Sequence, residues 1–115
     1  MERGDIFLVN LDPVVGSESN KQRPALIVSN NAANNSVERR GRGVVTVVPL
    51  TTNITNIYPF HVLLRPGDTG LEEASKAQAE QMRSVSTERF TRMVGRVSVA
   101  RMRDLDDVLR LHLIL

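Results

Sequence analysis

With 115 residues, 41% of them hydrophobic, the chain can bury one core but has no room for two, and its composition excludes wholesale disorder. The lack of cysteine excludes a disulfide framework, a thiolate metal site and a cysteine nucleophile. The net charge is only +2, yet thirteen of the fifteen cationic residues are arginines, whose planar fork binds phosphate in a bidentate way and stacks on bases.

In chain order, Asp5 to Leu11 reads as a strand too apolar on both faces to be an exposed edge. Asp12-Pro13 ends it, and Pro13 to Gln22 is a polar loop hinged at Gly16. A second strand spans Pro24 to Ser29; proline has no N–H for a ladder, so it suits the first position. Asn30 to Arg42 shows no hydrophobic periodicity and reads as a mobile loop. Gly43 to Leu50, nearly all β-branched, is the strongest strand and runs into the turn-like Thr51-Thr52-Asn53. Phe60 to Leu64 is a fourth strand, closed by Pro66-Gly67-Asp68. Shorter strands are predicted over Ala79–Val85 and Met93–Ser98, with a turn or one helical turn at Thr87–Phe90. Met102, Leu105, Leu109 and His112 then recur at helical spacing, and Ser98 can cap a helix from Val99 to Leu113.

Several short strands followed by one helix predict a mainly β (α+β) fold, a small, strongly bent sheet or barrel of antiparallel strands. A two-layer sheet with the helix packed on it is the competing arrangement. No apolar run approaches the roughly 20 residues of a membrane helix, and no signal-like stretch follows the charged start. The expectation is a single cytoplasmic domain over residues 1–115.

Candidate chemistry narrows quickly. His61 lies in an apolar strand and His112 on the helical stripe expected to face the core, so both read as structural. Without carboxylates at ligand spacing they make no zinc site. Glu72-Glu73 and Asp106-Asp107 are adjacent pairs, and neighbours in sequence point different ways, which argues against a carboxylate dyad or a magnesium site. No phosphate-binding glycine loop and no serine-nucleophile motif occurs. What remains is Arg23, where a polar loop enters a strand, and Thr51, where the most apolar strand leaves the sheet; strand ends beside loops are where small folds place active sites. Arg39, Arg40 and Arg42 are further candidates for holding a nucleic-acid backbone.

Longer motifs are more specific. Gly4-Asp5-Ile6, Leu11 to Glu18 and Lys21-Gln22-Arg23-Pro24-Ala25-Leu26-Ile27-Val28-Ser29 resemble the opening of the MazF/PemK (Kid) toxins. Val47-Val48-Pro49-Leu50-Thr51-Thr52 is similar to their third-strand motif, and Ala79 to Val85 to their later glutamine-centred strand. The blocks come in the family's order and run nearly end to end. The resemblance implies an SH3-like barrel, a homodimer and a sequence-specific endoribonuclease acting on single-stranded RNA without a metal ion or other cofactor. It also implies a MazE-like antitoxin whose segment fills the RNA groove. The family's catalytic arginine and threonine fall on Arg23 and Thr51. Ser17, Glu18, Lys21, Gln81 and Arg83 fall on stretches expected to bind RNA. Family accounts give arginine an acid–base role, although a guanidinium is normally protonated in proteins. Glu18 is an alternative proton acceptor, weak at an ordinary carboxylate pKa near about 4.3. The related CcdB branch, gyrase poisons that are not enzymes, is the alternative reading. It resembles chains ending in Trp-Gly-Ile, whereas this one ends Leu113-Ile114-Leu115 and has no tryptophan.

Overall fold

The computed structural model describes residues 1–11 and 22–115. Seven strands pair antiparallel throughout: Asp5–Asn10 (β1), Gln22–Ile27 (β2), Val44–Thr51 (β3), His61–Leu64 (β4), Ser75–Gln78 (β5), Arg83–Ser86 (β6) and Phe90–Arg96 (β7). They lie in the order β4-β5-β3-β2-β1-β7, with β6 also on β3. Among the described residues there are three α-helices: Asn31–Arg40 (α1), Pro66–Thr69 (α2) and Val99–Leu113 (α3). None of the helices described is long and apolar enough to cross a membrane.

The axis of the sheet is β3. One edge pairs with β2, while the other serves β6 along Val44–Val47 and then β5 at Leu50 and Thr51. A strand that changes partner along its length lets a small sheet curl, and this sheet is the expected small barrel, left open between β4 and β7. The apolarity of β3 on both faces has a simple cause. Side chains alternate across a strand, so Val48 and Leu50 enter one core while Val45 and Val47 enter another on the opposite face. β1 divides likewise, with Ile6 on one side and Val9 on the other, as its two-faced apolarity predicts. Helix α3 covers the first core with Leu105 fully buried, helped by Met102, Val108 and Leu109. Helix α1 closes the second with Val37.

Some elements differ from the sequence reading, each for a local reason. Asn30 to Arg42 contains a helix where a loop is expected. Its ends are fixed by polar contacts: the Asn30 side chain accepts the Ala33 N–H, and Gly41 closes the helix in the left-handed region. Only Asn34 and Val37 are buried in it, too few for a periodic pattern, and the buried Asn34 amide donates to the Ser29 carbonyl at 2.9 Å. The second strand starts two residues earlier than predicted, at Gln22, which makes Pro24 its third residue. The predicted strand over Ala79–Val85 is a 3₁₀ turn at Ala79–Gln81 followed by β6, and a further strand, Ser75–Gln78, lies just before it. The last strand covers Phe90–Arg96, earlier than Met93–Ser98, and follows a 3₁₀ turn at Thr87–Arg89 where a turn is predicted. In α3 the Ser98 hydroxyl accepts the Arg101 N–H as expected, but the buried stripe stops at Leu109 and His112 is exposed. The strand pairing also sets a tight contact at Gly95, where a Cβ would stand 2.5 Å from the Thr69 carbonyl oxygen of α2. Gly95→Ala is expected to cost about 1–3 kcal/mol, read as a lower urea midpoint, because backbone and not a pliant side chain must give way.

Candidate active site

Three strands place a row of side chains on one face. Pro24 of β2 lies opposite Leu8 of β1, and Leu8 opposite Arg92 of β7. This row floors a cleft of about 410 Å³. Arg23, one residue before Pro24, and Thr51, at the end of β3, both line it. So do Glu72 and Glu73 from the bend before β5, and Thr52 and Ser75. The two residues singled out by position in the sequence thus share one cavity, reached from strands that are not paired through them.

Thr51 is oriented by its own backbone. Its Oγ1 accepts the Asn53 N–H at 3.2 Å, so one lone pair is engaged and the hydroxyl proton is left to donate to a ligand. Thr51 also lies opposite Lys76 in the β3–β5 ladder. Lys76, 8% exposed, spends its ammonium on the Asn56 carbonyl at 2.8 Å, which tethers the segment leaving Thr51.

The charges of the cleft are set apart from those elsewhere. Arg3, Arg96, Arg101 and Arg110 face Asp106, Asp5, Asp104 and Asp107. Neither Arg23 nor Arg92 makes an ion pair among the described residues, and neither do Glu72 and Glu73. Two guanidiniums with no ion-pair partner among the described residues and several hydroxyl donors suit a phosphodiester whose charge changes during reaction, and the two carboxylates stand beside them.

Other expected contributors are not brought together here. Gln81 is exposed on its 3₁₀ turn, and Arg83 is exposed at the start of β6 opposite Val47; neither lines the cleft. Arg40 and Arg42 border a separate hollow with Gly43, Val44, Ser86 and Glu88. Ser17, Glu18 and Lys21 lie outside the described residues. His61 is held in place: its Nδ1 accepts the Tyr58 N–H at 3.1 Å and its Nε2 is 3.3 Å from Glu80. Among the described residues, no three histidine or acidic side chains converge in a way that could hold a metal ion.

Sequence reasoning missed Arg92, Ser75, Glu72 and Glu73. The two glutamates were set aside because neighbours in a regular strand diverge, but they sit in a bend, where both can face one cavity. Arg92 stands among the closely spaced Arg89, Arg92 and Arg96, with no local signal to separate it from its neighbours.

Comparisons with known proteins identify the family and the fold. A family model described as PemK-like, MazF-like toxin of type II toxin-antitoxin system matches residues 2–113. The chain is 58% identical over 113 residues to "Endoribonuclease MazF9" of Mycobacterium tuberculosis, covering 98% of this chain and 96% of that protein. It is 30% identical to "Endoribonuclease EndoA" of Bacillus subtilis over 100% of this chain and 96% of that one. A solved mycobacterial endoribonuclease in complex with its cognate antitoxin superposes with a TM-score of 0.77 at 28% identity, covering 100% and 96% of the two chains.

Proposed function

Because the chain belongs to the PemK-like, MazF-like toxins of type II toxin–antitoxin systems, we propose that it is a sequence-specific endoribonuclease that cuts single-stranded RNA and so halts translation and growth. The observation that carries this reading is the shared cleft of Arg23 and Thr51. RNA supplies its own nucleophile, the 2′-OH beside each phosphate. In-line attack yields a 2′,3′-cyclic phosphate and a 5′-OH, with negative charge gathering on the non-bridging oxygens. The Arg23 guanidinium offsets that charge, and the Thr51 hydroxyl donates to the same phosphate and fixes its orientation. The chain's own groups therefore meet the electrostatic demand without a metal ion. Single strands fit because their base edges are open, whereas the A-form major groove is closed to side chains.

Gln81 and Arg83 bind RNA, in this reading, outside the cleft, with Ser17, Glu18 and Lys21. A homodimer lets one groove draw on both subunits. The uncovered apolar end of α3, with Leu111, Leu113, Ile114 and Leu115 exposed, supports such a partner surface. A MazE-like antitoxin occupying the groove would block the same cleft. An RNA target places the protein in the cytoplasm.

The test is incubation of the purified chain, free of any partner, with a long single-stranded RNA in excess EDTA. Discrete cuts with 2′,3′-cyclic phosphate ends are expected. Cutting should be lost in folded Arg23→Ala and Thr51→Ala variants and at a 2′-deoxy cut site. A complex RNA pool left intact by the folded protein would overturn the enzyme reading in favour of a topoisomerase-binding or RNA-binding toxin.

A further inference from the structure

Transfer of the 2′-OH proton needs an acceptor, and the residues lining the cleft leave few. Arg23 and Arg92 carry guanidiniums, which are cations with no acceptor capacity. Thr51, Thr52 and Ser75 offer neutral hydroxyls, and Leu8, Pro24 and Leu71 are apolar. His61 lies outside the cleft with its Nδ1 taken by the Tyr58 N–H, and His112 is exposed on α3. Among the described residues of the cleft, only the Glu72 and Glu73 carboxylates can accept a proton. We propose that a carboxylate of the Glu72–Glu73 pair is the general base of the cleavage step, an assignment that rests on the ribonuclease reading above.

Two features of the site support it. Carboxylates oppose the binding of a polyanion, so two of them with no ion-pair partner among the described residues work against affinity in an RNA cleft unless they serve the reaction. Beside them Ser75, 2% exposed, lines the same cleft, and its hydroxyl oxygen has no hydrogen-bond partner among the described residues. An unpartnered buried hydroxyl at this wall points to a ligand group seated next to the glutamates. The step then balances simply. The carboxylate takes the 2′-OH proton as the 2′-oxygen bonds to phosphorus. The bond from phosphorus to the 5′-oxygen breaks, and the departing 5′-oxygen is protonated from water. Arg23 and Arg92, the cations lining the same cavity, keep the phosphate within reach of the pair.

The experiment measures single-turnover cleavage at saturating RNA across pH for the full chain and for Glu72→Gln, Glu73→Gln and the double variant. Glu18→Gln runs in parallel, and Asp107→Asn on the exposed face of α3 is the control. The expected result is a loss of about 10²–10⁴-fold in one single variant or in the double, with the rise of rate with pH flattened. Binding of a 2′-fluoro RNA, which cannot react, should be equal or tighter in the same variants because negative charge has been removed. A substrate with sulfur in place of the 5′-oxygen needs no proton on its leaving group, and it should be slowed to the same extent. Three outcomes would overturn the assignment: an unchanged rate and pH profile in the double variant, a loss confined to Glu18→Gln, or rescue by the sulfur substrate, which marks an acid. If the unaltered protein itself leaves RNA whole, it is the ribonuclease reading that fails.

Discussion

Replacing Arg23 with alanine is expected to slow RNA cleavage by about 10²–10³-fold, the usual loss when one preorganised donor is taken from the charge of a transition state. The fold should not notice. Arg23 is exposed, and among the described residues it makes no ion pair that the substitution could break. The urea midpoint should therefore stay put while the single-turnover rate falls. Arg23→Lys should recover little, because a point charge on a flexible stem cannot reproduce the planar fork. Full activity in Arg23→Ala would move the charge stabilisation to Arg92, the other guanidinium of the cleft.

The second large effect concerns stability. Leu105 is 1% exposed and is the one fully buried side chain of α3, in the same core as Ile6, Leu26, Leu50 and Leu64. Leu105→Ala should cost about 2–5 kcal/mol, combining lost transfer free energy with the cavity left behind. Urea unfolding would show a lower midpoint at an unchanged slope. Below that midpoint the remaining folded protein should cut RNA at the normal rate, since Leu105 does not line the cleft. A loss of activity larger than the loss of folded protein would mean that α3 also tunes the site.

These two residues mark what the sequence allowed and what it hid. Leu105 was legible because three- and four-residue spacing survives in a helix that leans on a sheet. Arg23 and Thr51 were legible because a polar residue at either end of an apolar strand stands out. Helix α1 was not, because it is held by capping and by the Asn34–Ser29 contact in place of an apolar stripe. Nor was β5: Ser75-Lys76-Ala77-Gln78 has no β-branched residue, and it is a strand because β3 and β4 flank it. Arg92 enters the cleft through its register with Leu8, a pairing between distant segments that local pattern does not encode. The acidic pair required knowing that residues 72 and 73 sit in a bend.

The position of β3 has a consequence for control. Its side chains fill both cores and its edges carry three other strands, so it can come loose only when the whole molecule opens. The Thr51 hydroxyl hangs from the end of that strand. Fraying at the sheet edges therefore leaves the Thr51 end of the cleft in place, even where Arg92 on edge strand β7 or the Glu72–Glu73 bend shifts. On the function proposed above, an occupant of the cleft would restrain the protein more simply than a change of fold.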